Sequence, residues 1–196
     1  TIIVDNVMLS NNVAFSDYSY VEYGSFSESV INTDDNTVSI NTFWSSNSTF
    51  SIESDPERIF DDVAKINGGL FAERYITQRI YERVIDMNNL DDIQNEGLTY
   101  VIGGFAKAAN ASYSSNSSFR LGVDVIYYEP NINADITVRY IYNYIPGISG
   151  WQFTGGIFSM NYQPEDNDLY EYRIVKAIDV FCEYSWQPGN SYAMFD

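Results

Sequence analysis

The sequence predicts an α+β fold dominated by antiparallel β-structure, either a β-sandwich or a β-meander, with a helical insert at about residues 54–111. Apolar and polar side chains alternate with period two on both sides of this insert, and the apolar spacing becomes helical within it. The 196 residues, 45% of them hydrophobic, suit one domain with a sizeable core. We therefore expect a single domain, 1–196, made of N-terminal strands (1–53), the insert and a C-terminal antiparallel meander (117–187).

The N-terminal part predicts short strands separated by polar turns. Val38, Ile40, Thr42 and Trp44 alternate with polar neighbours, as in a half-buried strand. A polar break at residues 10–12 separates an apolar segment at the start from these strands. Such a segment could complete the sheet of a neighbouring molecule, so we expect an assembly strand, formed by Ile2, Ile3, Val4, Val7, Met8 and Leu9.

The predicted insert begins at Ser54-Asp55-Pro56-Glu57, which resembles a capped helix start with proline in the first turn. A second helix is predicted from about Leu70 to Met87, because apolar residues recur there at helical spacing (Ala72, Ile76, Ile80, Val84 and Met87). Local ion pairs explain the arginines of this region. The pattern of residues 98–102 fits a helix and a strand equally well.

The C-terminal part predicts four long strands joined by short turns. The third of them, from Trp151 to Tyr162, carries Gly155-Gly156, which indicates a bulge. The last strand alternates over about 17 residues and contains Cys182 on its apolar side, so this thiol is expected to be buried and inert.

Composition excludes several classes of function. The chain has no histidine, which excludes Ser-His-Asp and Cys-His catalysis and His-ligated metals, and its single cysteine excludes a disulfide framework. A formal net charge of −17 argues against a nucleic-acid partner, because phosphate contacts need clustered Lys and Arg. Residues 1–57 hold nine carboxylates and no basic residue, which is typical of a solvated acidic face; the alternative is that divalent cations or low pH must neutralise this surface before molecules can pack together there. We expect a non-enzyme.

Two kinds of binding site are candidates. Turns rich in Asp and Asn offer the hard oxygen ligands that calcium prefers, and the candidate ligands are Glu165, Asp166, Asp168, Asp34 and Asp35. The alternative for these residues is a turn held by local side-chain hydrogen bonds. Aromatic residues make up 16% of the chain, and Trp44, Trp151 and Trp186 with the tyrosine rows could form either a sugar-stacking platform or the core face of a sheet.

The leading functional hypothesis is a non-catalytic extracellular or cell-surface structural subunit. It would self-assemble into a filament, tube or array as a homo-oligomer or polymer, by exchange of the N-terminal strand and with the aid of calcium. The second hypothesis is a secreted pore-forming toxin, in which long strands around an amphipathic helical pair rearrange at a membrane. The third is a carbohydrate-binding or adhesin domain that uses exposed Trp or Tyr side chains to hold a glycan.

Overall fold

The computed structural model describes residues 8–11, 21, 30–31, 38–39, 44–48, 50–57, 62–82, 84–85, 99–160 and 174–196. These residues form thirteen β-strands and no helix, so the described part of the chain is all-β. The strands are β1 (Met8–Asn11), β2 (Val30–Ile31), β3 (Val38–Ser39), β4 (Ser45–Ser46), β5 (Phe50–Ser54), β6 (Asp62–Asn67), β7 (Tyr75–Glu82), β8 (Thr99–Ala109), β9 (Ser118–Glu129), β10 (Ala134–Asn143), β11 (Gln152–Ser159), β12 (Ile174–Ser185) and β13 (Tyr192–Phe195).

Two antiparallel sheets form the body of the molecule. The six-stranded sheet contains β5, β6, β13, β8, β1 and β11, and β8 is its central strand. The five-stranded sheet has the order β10-β9-β12-β7-β4, and β2 and β3 form a separate two-stranded ladder. Every pairing in the three sheets is antiparallel.

The core lies between the two large sheets. Each contributes the alternate side chains of its strands, as period-two patterning requires. The five-stranded sheet contributes Leu121, Val123, Val125, Val180 and Cys182, and the six-stranded sheet contributes Ile66, Ile102, Ala106, Phe158 and Phe195. All of these are nearly inaccessible to solvent. The arrangement of the described residues is an all-β sandwich, so the predicted α+β class is wrong.

The predicted helical insert at 54–111 is wrong, because the described residues of this range form β6, β7 and β8. The error has a specific cause. Residues four apart, such as Ile76 and Ile80, share a face in a helix and also in a strand. Residue 78 distinguishes a helix from a strand, because a helix would place Gln78 on the face opposite Ile76, whereas a strand places both side chains on the same face. Gln78 is 3% exposed, so it faces the core together with Ile76, as in a strand. The β-branched and aromatic residues of this segment also favour a strand.

The segment predicted to start a helix is instead a turn that follows β5. Pro56 and Glu57 occupy the turn, and the Glu57 backbone N–H donates to Asp55 Oδ1 at 2.8 Å. A side-chain oxygen that accepts from the amide two residues on is common to a helix cap and to a tight turn. The same sequence signal therefore fits both structures, and here it belongs to a tight turn and not to the start of a helix. Residues 99–102, which fitted either structure, belong to β8.

The C-terminal strands do not form the expected meander. β9 and β10 make a hairpin, but β11 crosses to the other sheet and pairs with β8, and β12 returns to pair with β9. The predicted bulge at Gly155-Gly156 is absent, since β11 keeps a continuous register with β8. Glycine is needed at position 155 because the backbone of β8 approaches closely there. A Cβ at this position would lie 2.3 Å from the Ile102 carbonyl oxygen.

Tyrosine hydroxyls join the two sheets along β11. Tyr140 and Tyr142 of β10 donate to the carbonyl oxygens of Ser159 and Ile157, each at 2.9 Å. Tyr127 of β9 donates to the Met160 carbonyl oxygen, also at 2.9 Å. Two carbonyls of β11 and that of the adjoining Met160 are thus bonded by side chains of the opposite sheet.

Candidate functional site

A polar groove of about 210 Å³ lies on the outer face of the five-stranded sheet. We call it the outer groove. Strands β7, β9, β10 and β12 and the residues just before β7 supply its lining, which consists of Glu73, Tyr75, Thr77, Asp124, Arg139, Asp179, Phe181 and Glu183. The lining residues within the strands alternate with the core residues of the same strands, so they necessarily point away from the sandwich interior.

Strand register arranges these side chains in three cross-strand rows. The first row reads Arg139, Asp124, Asp179 and Arg79 across β10, β9, β12 and β7. The second, two residues further along, reads Ile141, Gly122, Phe181 and Thr77. The third reads Asn143, Arg120, Glu183 and Tyr75. An uncharged row is therefore flanked by two charged rows.

Arginine–carboxylate pairs hold the charged rows in place. Arg139 donates to both oxygens of Asp124, from Nε at 2.7 Å and from Nη2 at 2.6 Å. Arg79 does the same to Asp179, at 2.8 and 3.0 Å. Two-point pairs of this kind fix the planes of both groups. The bond with Asp124 and that carboxylate's charge, against a smaller effect of burial, raise the pKa of Arg139 above its usual value.

The third row contains the most buried charge of the groove. Arg120 donates to Glu183 Oε2 from Nε at 2.8 Å, and its Nη2 lies 2.7 Å from the same oxygen. The Glu183 side chain is 4% exposed. A carboxylate this buried needs a paired cation, which Arg120 supplies.

The uncharged row is built around the Phe181 ring. The guanidinium carbon of Arg139 lies 4.7 Å from the ring centroid, a cation–π arrangement. The ring also lies over Gly122, because a Cβ at that position would come within 2.2 Å of Phe181 Cζ. With these neighbours Phe181 is 4% exposed, so it stiffens the floor of the groove without offering a free stacking face.

Tyr75 and Glu73 lie at the end of the groove where the chain enters β7. Tyr75 is half-buried at the end of the third row, and Glu73 is exposed. The Tyr75 backbone N–H donates to Asn47 Oδ1 at 2.9 Å, and Asn47 Nδ2 donates to the Glu73 carbonyl oxygen at 2.9 Å. Asn47 thereby fixes the chain segment that carries both side chains.

The calcium candidates Glu165, Asp166, Asp168, Asp34 and Asp35 all lie outside the described residues. Within the described ranges no group of three or more acidic or cysteine side chains could hold a metal ion. In the assembly strand, Met8 and Leu9 belong to β1, and Ile2, Ile3, Val4 and Val7 lie outside the described residues.

The three tryptophans do not form a common platform. Trp44 is 5% exposed in the core and Trp186 is 42% exposed. Trp151 is half-buried with its ring 5.3 Å from Lys107 Nζ. Cys182 is fully buried, and burial raises the pKa of its thiol far above the usual range, which agrees with the expected inert role.

Sequence reasoning missed the outer groove. The partners of its rows are far apart in the chain, as Arg79 and Asp179 are, whereas the arginines had been assigned local ion pairs. One such local pair is present, between Arg79 and Glu82 at 3.0 Å. The available signal was the alternation of charges opposite the apolar positions of the last strand, which already placed Asp179 and Glu183 on one face.

Comparison with known proteins gives little guidance. No protein-family model matches the chain, and no curated protein matches it. Among solved structures, the chain is similar to one described as "Family 16 Carbohydrate Binding Module-2", with a TM-score of 0.41 and 16% sequence identity over 75% of this chain and 81% of the other. A likeness of this size leaves the function to be argued from the residues themselves.

Proposed function

We propose that the protein is a non-catalytic glycan-binding domain and that the outer groove holds the sugar. The observation that carries this proposal is the row arrangement, in which fixed hydrogen-bond donors and acceptors flank the rigid Phe181 row and the half-buried Tyr75 lies at the end of the groove. A sugar ring presents hydroxyls at its edge and C–H groups on its faces. The groove offers complementary chemistry for both.

Charge supports a neutral, hydroxyl-rich ligand. The carboxylates of Asp124, Asp179 and Glu183 each have an arginine partner, so the groove carries no large excess of either sign. Lone pairs on these carboxylates and N–H groups on the arginines can accept from and donate to hydroxyls. An anionic ligand would meet the exposed carboxylate of Glu73 and the negative charge of the whole chain.

The size and the openness of the outer groove favour a ligand that places one sugar residue of a longer glycan in it. The groove is smaller than the roughly 300–1,000 Å³ pockets that enclose drug-sized ligands. It lies on a sheet face, which lets a polymer run past on both sides. The half-buried ring of Tyr75 at the end of the groove can pack against an apolar sugar face.

The same pairs argue for binding without catalysis. Glycoside cleavage uses one carboxylic acid that gives up a proton and one carboxylate that attacks or activates water. Here Asp124, Asp179 and Glu183 each accept hydrogen bonds from an arginine, which holds the three carboxylates in fixed orientations. Self-assembly and pore formation, the other two hypotheses, stay predictions.

A glycan array followed by calorimetry tests the proposal. Tyr75→Ala should weaken binding to the best glycan about tenfold, because it removes the stacking surface. Tyr81→Ala is the matched control, since Tyr81 lies on the same strand outside the groove and is 40% exposed. Thermal unfolding of both variants checks that the fold is kept. A silent array, or equal binding by both variants, would overturn the proposal.

A further inference from the structure

We propose that the β8 segment Tyr100–Gly103 is a strand-acceptor site and that β1 of a second copy of this chain can fill it, linking copies head to tail. This inference concerns the six-stranded sheet and is independent of the outer groove. For Met8 and Leu9, the two described residues of the assembly strand expected from the sequence, it names the receiving surface.

The position of β1 on β8 is the first argument. β11 pairs with residues 99–106 of β8, so it occupies one edge of that strand. β1 pairs with Tyr100–Gly103 and β13 with Ala106–Ala109, and both therefore lie on the other edge. Both run antiparallel to β8, and β1 continues the line of β13. One edge of β8 is thus completed by two separate chain segments.

The site needs an occupant. Ile102 is 1% exposed and Tyr100 is 9% exposed, with the Tyr100 ring stacked on Phe158 at 5.4 Å between centroids. Removing β1 would open the backbone of these core residues to water at a strand edge. An open edge next to a core is the surface that recruits a further strand from another molecule.

Exchange of β1 between copies breaks one backbone ladder and forms the same ladder again. Among the described strands β1 pairs only with β8, through four residues, so its release breaks one short ladder. The same ladder forms again when β1 of another copy docks, as in domain swapping. Concentration then decides how much of the pairing is intermolecular.

Exchange of β1 allows copies to join head to tail. The donor segment and the acceptor site are different surfaces, so each copy can give to one neighbour and receive from another. The acidity of the chain works against this contact, because the first 57 residues hold nine carboxylates and no cation. Added salt screens that repulsion and should promote assembly.

Disulfide trapping in the full-length chain tests the proposal. Ser10 and Val101 are paired across the β1–β8 ladder, and facing strand residues lie within the distance that a disulfide spans. We would oxidise the double variant Ser10→Cys, Val101→Cys over a wide range of protein and salt concentrations, and separate the products on a non-reducing gel. The buried Cys182 should not interfere.

We expect a ladder of covalent oligomers that lengthens with protein and salt concentration, beside a cross-linked monomer at low concentration. The single variants Ser10→Cys and Val101→Cys are the controls, and neither should give species beyond a dimer. Cross-linked monomer alone at every concentration would overturn the proposal, because β1 would then serve only its own chain. A complete lack of pairing between the two positions would overturn it as well.

Discussion

At the scale of single residues, two lysine–carboxylate ion pairs of the six-stranded sheet differ clearly in how far the carboxylate is exposed. Lys107 is held by Asp55, whose side chain is 3% exposed, whereas Lys65 is held by Glu53, whose side chain is 38% exposed. Burial acts to raise the pKa of Asp55, but hydrogen bonds from Lys107 and from the Glu57 amide lower it overall. The hydrogen bond from Lys65 lowers the pKa of Glu53.

We therefore expect Asp55→Asn to lower the free energy of unfolding by about 3 kcal/mol, because it leaves the largely buried Lys107 without its closest anion. Glu53→Gln, the matched control, should cost less than about 1 kcal/mol. Urea denaturation at pH 7 measures both. Equal costs at the two positions would contradict the argument from burial.

The Asp55–Lys107 pair also predicts how the stability of the fold depends on acidic pH. A carboxyl whose pKa is lower in the folded state stabilises the fold above its ordinary pKa, and this stabilisation is lost as pH falls through the folded value. The difference between the wild-type chain and Asp55→Asn should therefore shrink below about pH 4.

At the scale of strands, the alternation of side chains made much of the β-structure predictable but not its pairing. Alternation predicted β9, β10 and β12 from their own residues. In the β7 segment the spacing of Ile76 and Ile80 fits a helix as well as a strand, and the buried Gln78 shows that the strand is the correct interpretation. The outer groove could not be predicted, since its rows depend on register between strands such as β7 and β12, which are remote in sequence.

The tyrosine bonds to β11 give a prediction at this scale. Tyr142→Phe removes the donor to the Ile157 carbonyl and should lower the free energy of unfolding by about 1 kcal/mol. Amide hydrogen exchange should rise along β11 more than along β9. Tyr113→Phe is the control, because Tyr113 is 72% exposed. Unchanged exchange in β11 would show that the hydroxyl does not hold that strand.

At the scale of the whole molecule, burial of tyrosine governs the response to alkali. Burial raises the pKa of Tyr140, Tyr142 and Tyr184, and that of Tyr144 most clearly. A group whose pKa is raised on folding stabilises the fold below its unfolded pKa, and this stabilisation is lost as pH rises toward the folded value. The protein should hold its stability up to about pH 10 and lose it above.

Tyrosinate absorbance during an alkaline titration checks this prediction. The buried tyrosines, whose pKa values are raised, should ionise together in a late, cooperative step that accompanies unfolding. The Cys182 thiol should become reactive in that same step, because it lies in the same core. Tyr144→Phe should make the step smaller. One smooth titration of all tyrosines with the fold intact would refute the prediction.

The tyrosine bonds along β11 have a further consequence for behaviour at high concentration. A strand at the margin of a sheet aggregates when its backbone groups are free to template a cross-β ladder. On β11 the carbonyls of Ile157 and Ser159, and next to it the carbonyl of Met160, already accept from tyrosine hydroxyls, so these three groups are not free to bond a further strand. We therefore expect these three tyrosine hydroxyls to oppose the addition of a further strand at this end of β11.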